Sequence, residues 1–183
     1  MQEKQHKIVL IGGPSTGKTT ILKALKEKGF HCFEEVSREI TSNAQKNGIE
    51  QLFLTNPLLF SEMLLEGREK QYHDAEKSSE SIIFFDRGIP DIKAYLEFFN
   101  TRYPSFFSEK CISYKYDFIF HFSPWETIYK TDNERYESFE ESVLIDKFIV
   151  KTYTNLGYKI INIHFEKLEE SDQFIVNYLN KES

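Results

Sequence analysis

The sequence predicts a layered α/β domain built on a mainly parallel sheet, and three observations carry that reading. Short apolar runs rich in Val, Ile, Phe and Tyr alternate with longer segments of helical periodicity, the pattern of repeated βα units. The first of these runs passes directly into a glycine-rich turn and then a helix. The 183 residues suit one domain spanning 1–183, long enough to bury roughly 70% of its unfolded surface without a disulfide staple.

Five strands and four helices are expected in order. Lys7–Ile11 is the first strand, following a polar N-terminus. Lys18–Lys28 reads as a helix closed by Gly29, which suits a left-handed C-cap. His31–Glu34 is the second strand. A long helix over Pro57–Lys77 opens on Asn56-Pro57, where Asn caps and Pro fits the first turn. Ser81–Asp86, Tyr116–Phe122 and Tyr158–His164 complete the strands. Phe139–Leu156 carries Val143, Leu144, Phe148 and Ile149 at helical spacing and stops at Gly157, and Lys167–Asn180 is the closing helix. Tyr103-Pro104 and the charged stretch Ser123–Tyr136 read as loops, and no internal repeat or low-complexity linker is present.

Charge and composition narrow the function classes. With 23 Lys and Arg against 29 Asp and Glu the net charge is −6, and no clustered basic run exists to coat a nucleic-acid backbone. No apolar run approaches the ~18 residues of a membrane span, so no integral membrane association is expected. Cys32 and Cys111 form no CxxC pair, and none of His6, His31, His73, His121 or His164 stands at metal-ligand spacing. The histidines read as ordinary structural or surface residues, and the cysteine usage, with no export signal in the N-terminus, points to a reducing, cytoplasmic setting.

Gly12-Gly13-Pro14-Ser15-Thr16-Gly17-Lys18-Thr19 satisfies the phosphate-loop pattern G-x-x-x-x-G-K-[ST] between a strand and a helix. Gly12 and Gly17 let successive backbone N–H groups converge on phosphate oxygens, and the helix N-terminus, with Thr20 in its first turn, adds positive potential. Lys18 supplies a charge to the β- and γ-phosphates, and the Thr19 hydroxyl can ligate Mg²⁺ between them. ATP is the expected nucleotide. GTP stays open, although the nearest match to a guanine-reading tetrad, Tyr129-Lys130-Thr131-Asp132, has the wrong first residue and does not follow a strand.

The third strand ends in Asp86, whose carboxylate can reach the metal shell. The next residue is Arg87 rather than a water-orienting glutamate, a pairing that suits transfer to a bound hydroxyl. Asp86 is then the proton acceptor and Arg87 a clamp on substrate or phosphate oxygen.

Several of these features together resemble the NadR-like P-loop family. They are Gly12 to Thr19, Glu35-x-x-Arg38 after the second strand, Gln71-Tyr72 late in the long helix, Asp86, Pro124-Trp125 after the fourth strand and the charged run Asp132 to Arg135. The resemblance covers roughly residues 7 to 165, while Asp86-Arg87-Gly88 is closer to the Asp-Arg motif of thymidylate and deoxynucleoside kinases. It implies a three-layer P-loop fold of nucleotide-kinase type, with strand order 2-3-1-4-5 and helices on both faces. It also implies a lid at about 124–137 that brings Arg135 over the phosphates. Glu35 and Arg38, just beyond a strand end, are candidates for substrate hydroxyls, Gln71 for a planar ring and Trp125 for stacking on one. The expected activity is Mg-dependent transfer of the ATP γ-phosphate to a small hydroxyl-bearing, nucleoside-like acceptor. The alternative is a nucleotide-dependent regulatory protein with slow turnover.

Overall fold

Alternating side chains on a two-sided sheet account for most of the architecture. The computed structural model describes residues 4–49, 51–126, 138–163 and 170–182. Its strands are β1 (His6–Ile11), β2 (His31–Phe33), β3 (Ile82–Asp86), β4 (Phe118–Phe122) and β5 (Ile160–Ile163). They pair in the order β2-β3-β1-β4-β5, every pair parallel, which is the order the resemblance implies. The helices are α1 (Lys18–Glu27), α2 (Val36–Lys46), α3 (Leu52–Thr55), α4 (Pro57–Glu76), α5 (Ile89–Phe98), α6 (Phe106–Ser113), α7 (Phe139–Asn155) and α8 (Ser171–Glu182).

Because strand side chains alternate, neighbours in sequence enter opposite layers. Ile8, Leu10, Phe84, Phe120 and Phe122 meet α1 through Ile21, Leu22 and Leu25, and α8 through Ile175 and Leu179. Val9, Ile11, Ile83, Phe85 and Ile119 face the other way, onto Ala75, Ala94, Ile145, Ile149 and Tyr153 of α4, α5 and α7. A third cluster lies away from the sheet, where Ile40, Leu52, Leu64, Ile92, Leu96 and Phe107 knit α2 through α6 together. Among the described residues no helix is long and apolar enough to cross a membrane.

The expected strands all form: β1 starts one residue earlier, at His6, β2 ends one earlier, β3, β4 and β5 start later, and His164 lies outside the described residues. Tyr116 precedes β4 because its side chain is buried and its hydroxyl accepts from Ile89 N at 3.2 Å. Tyr158 precedes β5 and packs on Tyr153. The closing helix starts at Ser171, and Lys167 lies outside the described residues.

Helices α2, α3, α5 and α6 were not expected from periodicity. In α5, Ile89, Pro90, Asp91, Ile92, Ala94 and Leu96 are all buried, so Lys93 and Glu97, paired four residues apart, are the whole of its polar stripe. In α2 the apolar face is a single column, Val36, Ile40 and Ala44 four residues apart, in an otherwise polar stretch.

Parallel strands deliver their C-terminal loops to one rim. Leu10 of β1 is in register with Asp86 of β3, so the glycine-rich turn after β1 and the acid ending β3 stand side by side. Truncating a wholly buried ring tests this layering. Phe84→Ala is expected to lower unfolding free energy by about 3–5 kcal/mol, whereas Ile112→Ala, at a side chain 60% exposed, should change it by about 0.5 kcal/mol or less. Urea denaturation of both variants checks the contrast.

Candidate functional site

The loop after β1 is shaped by crowding as well as by conformation. Gly12 has φ +146°, and a Cβ there would run into the Phe122 carbonyl at the end of β4. At Gly13 a Cβ would stand 2.6 Å from Ser142 O on α7. Only glycine lets β4 and α7 close on the loop from outside.

Inside the loop, Lys18 is almost wholly buried and its ammonium donates to Gly12 O at 3.1 Å, Gly13 O at 2.8 Å and Thr16 Oγ1 at 2.9 Å. Burial, with the nearby Arg87 charge adding to it, pulls its pKa down to about 7. A phosphate placed in the loop acts in the opposite sense, since an adjacent anion favours the charged amine. The next residue turns the other way: Thr19 Oγ1 donates to Asp86 Oδ2 at 3.1 Å. Burial raises the Asp86 carboxyl pKa, and the charge of Glu35 raises it further.

Beyond Asp86 lies a buried charge network. Arg87 adopts φ +70°, an uncommon conformation for a residue with a side chain. Its guanidinium sends Nη1 to Gly12 O at 3.0 Å and to Asp91 Oδ1 at 3.2 Å, while Nε lies 2.7 Å from Glu35 Oε2. The Tyr95 ring lies under it, 5.4 Å away. Glu35 caps α2 by accepting Ser37 N–H and takes a second cation, Arg68 Nη2, at 2.9 Å on Oε1. Burial alone would raise the Glu35 carboxyl, but the two guanidinium groups outweigh it and hold it below the usual carboxylate range. Arg68 continues to Gly88 O at 2.8 Å, and Asp91 Oδ2 accepts Gly88 N–H at 2.9 Å and the Tyr153 hydroxyl at 2.7 Å.

One cavity joins these groups. Lys18, Thr19, Asp86, Glu35 and Arg87 line it together with the rings of Phe53, Phe60, Tyr95 and Phe99. Pro14, Ser15 and Arg38 also line it. Gln71 and Trp125 do not: the Gln71 amide donates to Glu34 O at 2.8 Å, bracing the end of β2 on α4, and Trp125 is half-buried just past β4. Of the expected lid at 124–137, only 124–126 belong to the described residues, and Arg135 lies outside them.

Sequence reasoning missed Arg68 and Asp91. Arg68 stands in the middle of a long helix where a solvated charge is the ordinary expectation, and nothing in its neighbours marks it as 4% exposed. Asp91 had a usable signal, since Gly88-x-x-Asp91 is the spacing at which an acid in the first turn reaches back to a backbone N–H.

Glu35 carries a depressed pKa, so its ionised form contributes stability that is complete above the unfolded value near 4.5 and is lost as pH falls through the lower folded value. Arg68→Gln removes one of its two cations and leaves the carboxylate under-compensated. Denaturant titration is expected to show a loss of about 3–5 kcal/mol at pH 7 that shrinks below pH about 4.5, where Glu35 takes a proton. An equal loss at both pH values is the contrary result.

Residues 7–170 match a family described as AAA domain. No curated protein sequence matches the chain. Among solved structures it is similar to deoxyadenosine kinase from M. mycoides, described with the products dCMP and dCDP, at TM-score 0.72 and 18% identity, covering 96% of this chain and 99% of that one. It is similar to thymidylate kinase from Candida albicans at TM-score 0.73 and 14% identity, covering 98% and 92%. The NadR protein in complex with NR is matched at TM-score 0.66 and 18% identity over 88% of this chain but 44% of that one. These similarities place the fold among P-loop proteins of nucleotide-kinase type. With the family match running over nearly its whole length, the chain belongs to the AAA domain family.

Proposed function

We propose that the protein is a phosphotransferase that moves the γ-phosphate of ATP to a hydroxyl of a small, nucleoside-like acceptor. The observation that carries this reading is the single cavity lined by the phosphate loop, Asp86, Glu35 and aromatic rings. A hydrolase needs a group that orients water beside the third-strand acid; here that place is taken by Arg87. The aromatic lining suits a planar ring, and two of the similar structures are kinases of nucleosides or nucleotides by their descriptions.

The residues divide the work by position. Lys18 and the backbone N–H groups of Ser15 to Thr19 receive the phosphates, with Gly13 N–H held by Asp146 and Pro14 lacking one. Thr19 and Asp86 are hard oxygen donors 3.1 Å apart, the donor type Mg²⁺ takes, and they are the residues that would hold it. A bound Mg²⁺ supplies charge neutralisation between the β- and γ-phosphates. With Asp86 turned toward Thr19, Glu35 is the better receiver of the acceptor hydroxyl. It lines the cavity, and its oxygens are paired with Arg68 on Oε1 and Arg87 on Oε2. Two arginines keep it ionised, and a loose phosphoryl transition state asks little of a base beyond orientation. Arg87 steadies Glu35 and the loop at once. Arg38, at the cavity wall, serves the acceptor. The segment 124–137 closes as a lid carrying Arg135 to the transferring group, and the protein works in the cytoplasm.

Three measurements test the proposal. Coupled ADP release against a panel of nucleosides and small alcohols should show acceleration by a ring-bearing alcohol; no acceleration by any member favours the regulatory reading. Lys18→Ala should weaken binding of the triphosphate by calorimetry at least about tenfold and leave nucleoside binding untouched. Glu35→Gln should lower kcat by roughly 10² or more with nucleotide affinity within a few fold, while Asp86→Asn should raise the Mg²⁺ concentration needed for half-maximal rate. Unaltered kcat in Glu35→Gln removes it from the reaction.

A further inference from the structure

Behind the phosphate loop, outside the cavity lining, α7 reaches the loop through two residues one helical turn apart. Ser142 Oγ donates to Pro14 O at 2.8 Å, and Asp146 Oδ1 accepts Gly13 N–H at 2.9 Å. The same carboxylate faces His121 near the end of β4, with Nε2 at 2.9 and 3.0 Å from its two oxygens. The other ring nitrogen, Nδ1, is 2.8 Å from Asn162 Oδ1 on β5. Both partner atoms are acceptors, so a ring that satisfies both carries a proton on each nitrogen and is an imidazolium. His121 is 5% and Asp146 8% exposed. A carboxylate so buried needs a counter-charge, and His121 supplies one to it when the ring is protonated.

We propose that His121 and Asp146 are positioning residues of the nucleotide site, an ion-paired latch that holds Gly13 and the first half of the phosphate loop in the shape phosphates bind. The proposal rests on the nucleotide reading of that loop. On the cavity side the loop is held by Lys18, through Gly12 O and Gly13 O, and by Arg87, through Gly12 O. When the ammonium turns to a phosphate, those lysine contacts are given up. The rear contacts from Ser142 and Asp146 remain. Gly13 has no room to shift toward α7, because its Cα already faces Ser142 O and Oγ closely.

The groups facing His121 are Asp146 from α7, the neutral Asn162 from β5 and the charge of Lys18 from the loop side. Burial draws the ring's pKa down, as does Lys18, but the Asp146 hydrogen bond and charge together with Asn162 outweigh them and raise it above 6.5. The charged latch is therefore complete below the ring's ordinary value and is lost as pH rises through the higher folded value. Lys18 itself loses charge in the same direction, so the test compares variants that leave Lys18 in place.

His121→Gln keeps an N–H donor toward Asp146 at every pH, and Asp146→Asn keeps an acceptor for Gly13 N–H but removes the charge. Affinity for the ATP analogue AMP-PNP with Mg²⁺, measured by calorimetry from pH 6 to 9, is expected to fall about tenfold further in the wild type than in His121→Gln. The midpoint of that extra fall should coincide with deprotonation of the His121 ring followed by ¹⁵N NMR. Asp146→Asn should bind about tenfold more weakly than wild type at pH 6.5. Superimposable pH profiles for wild type and His121→Gln, or a ring that is neutral from pH 6 upward, overturn the latch. A parallel loss of melting temperature and affinity with an unchanged pH profile makes the pair structural only and overturns it too. The ring's charge is read without nucleotide, so absence of AMP-PNP binding by the wild type, with a charged ring, instead overturns the nucleotide reading and the latch's role in it.

Discussion

Arg87 is the group on which both halves of the site depend. Its guanidinium touches the phosphate loop at Gly12, the Glu35 carboxylate on the cavity wall and the α5 carboxylate of Asp91. A cation removed from water in this way costs several kcal/mol unless it is matched by charge and hydrogen bonds. The match sets the positions of three elements at once: the loop after β1, the start of α2 and the first turn of α5. The positive φ of Arg87 belongs to the same constraint, because it turns the side chain back across the rim from the end of β3.

The network does not stop at Arg87. Arg68 reaches it from α4 through Glu35 and Gly88, and Tyr153 reaches it from α7 through Asp91. Helix α7 therefore contacts the site twice. Tyr153 supports the acceptor side, while Asp146 and Ser142 support the loop. Two or three turns of one rigid helix separate these contacts, so a displacement of α7 is felt by the nucleotide and acceptor ends together.

The sheet explains how so many charges are tolerated at one rim. Phenylalanines at alternating positions fill both layers, with Phe84 and Phe120 on one face and Phe85 on the other, and α1, α7 and α8 close over them. The buried network of Lys18, Asp86, Arg87, Glu35, Arg68 and Asp91 collects at the rim where the strands end. The helices α2 to α6 form a second apolar unit beside the sheet, and the cavity lies between that unit and the loop. The aromatic lining thus comes from α3, α4 and α5 and the residue after α5, and much of the charged lining from the contiguous loop motif and the end of β3.

The contrast between those two linings marks what the sequence by itself determined. The strands, α1, α4 and α7, and the phosphate loop with Lys18 and Thr19 rest on local rules: alternation, helical spacing, capping residues and a contiguous motif. Asp86 and Arg87 were legible for the same reason, as adjacent residues at a strand end. Arg68, Tyr153, His121 and Asp146 were not, because each is ordinary within its own helix or strand and acquires meaning only from a partner remote in the sequence, while Asp91 leaves only its capping distance from Gly88 as a local trace. Gln71 shows the converse, since its amide is spent on Glu34 O and does not line the cavity. Tertiary structure decided these residues because burial is what turns a surface charge into one that must be paired, and burial is a property of the assembled layers.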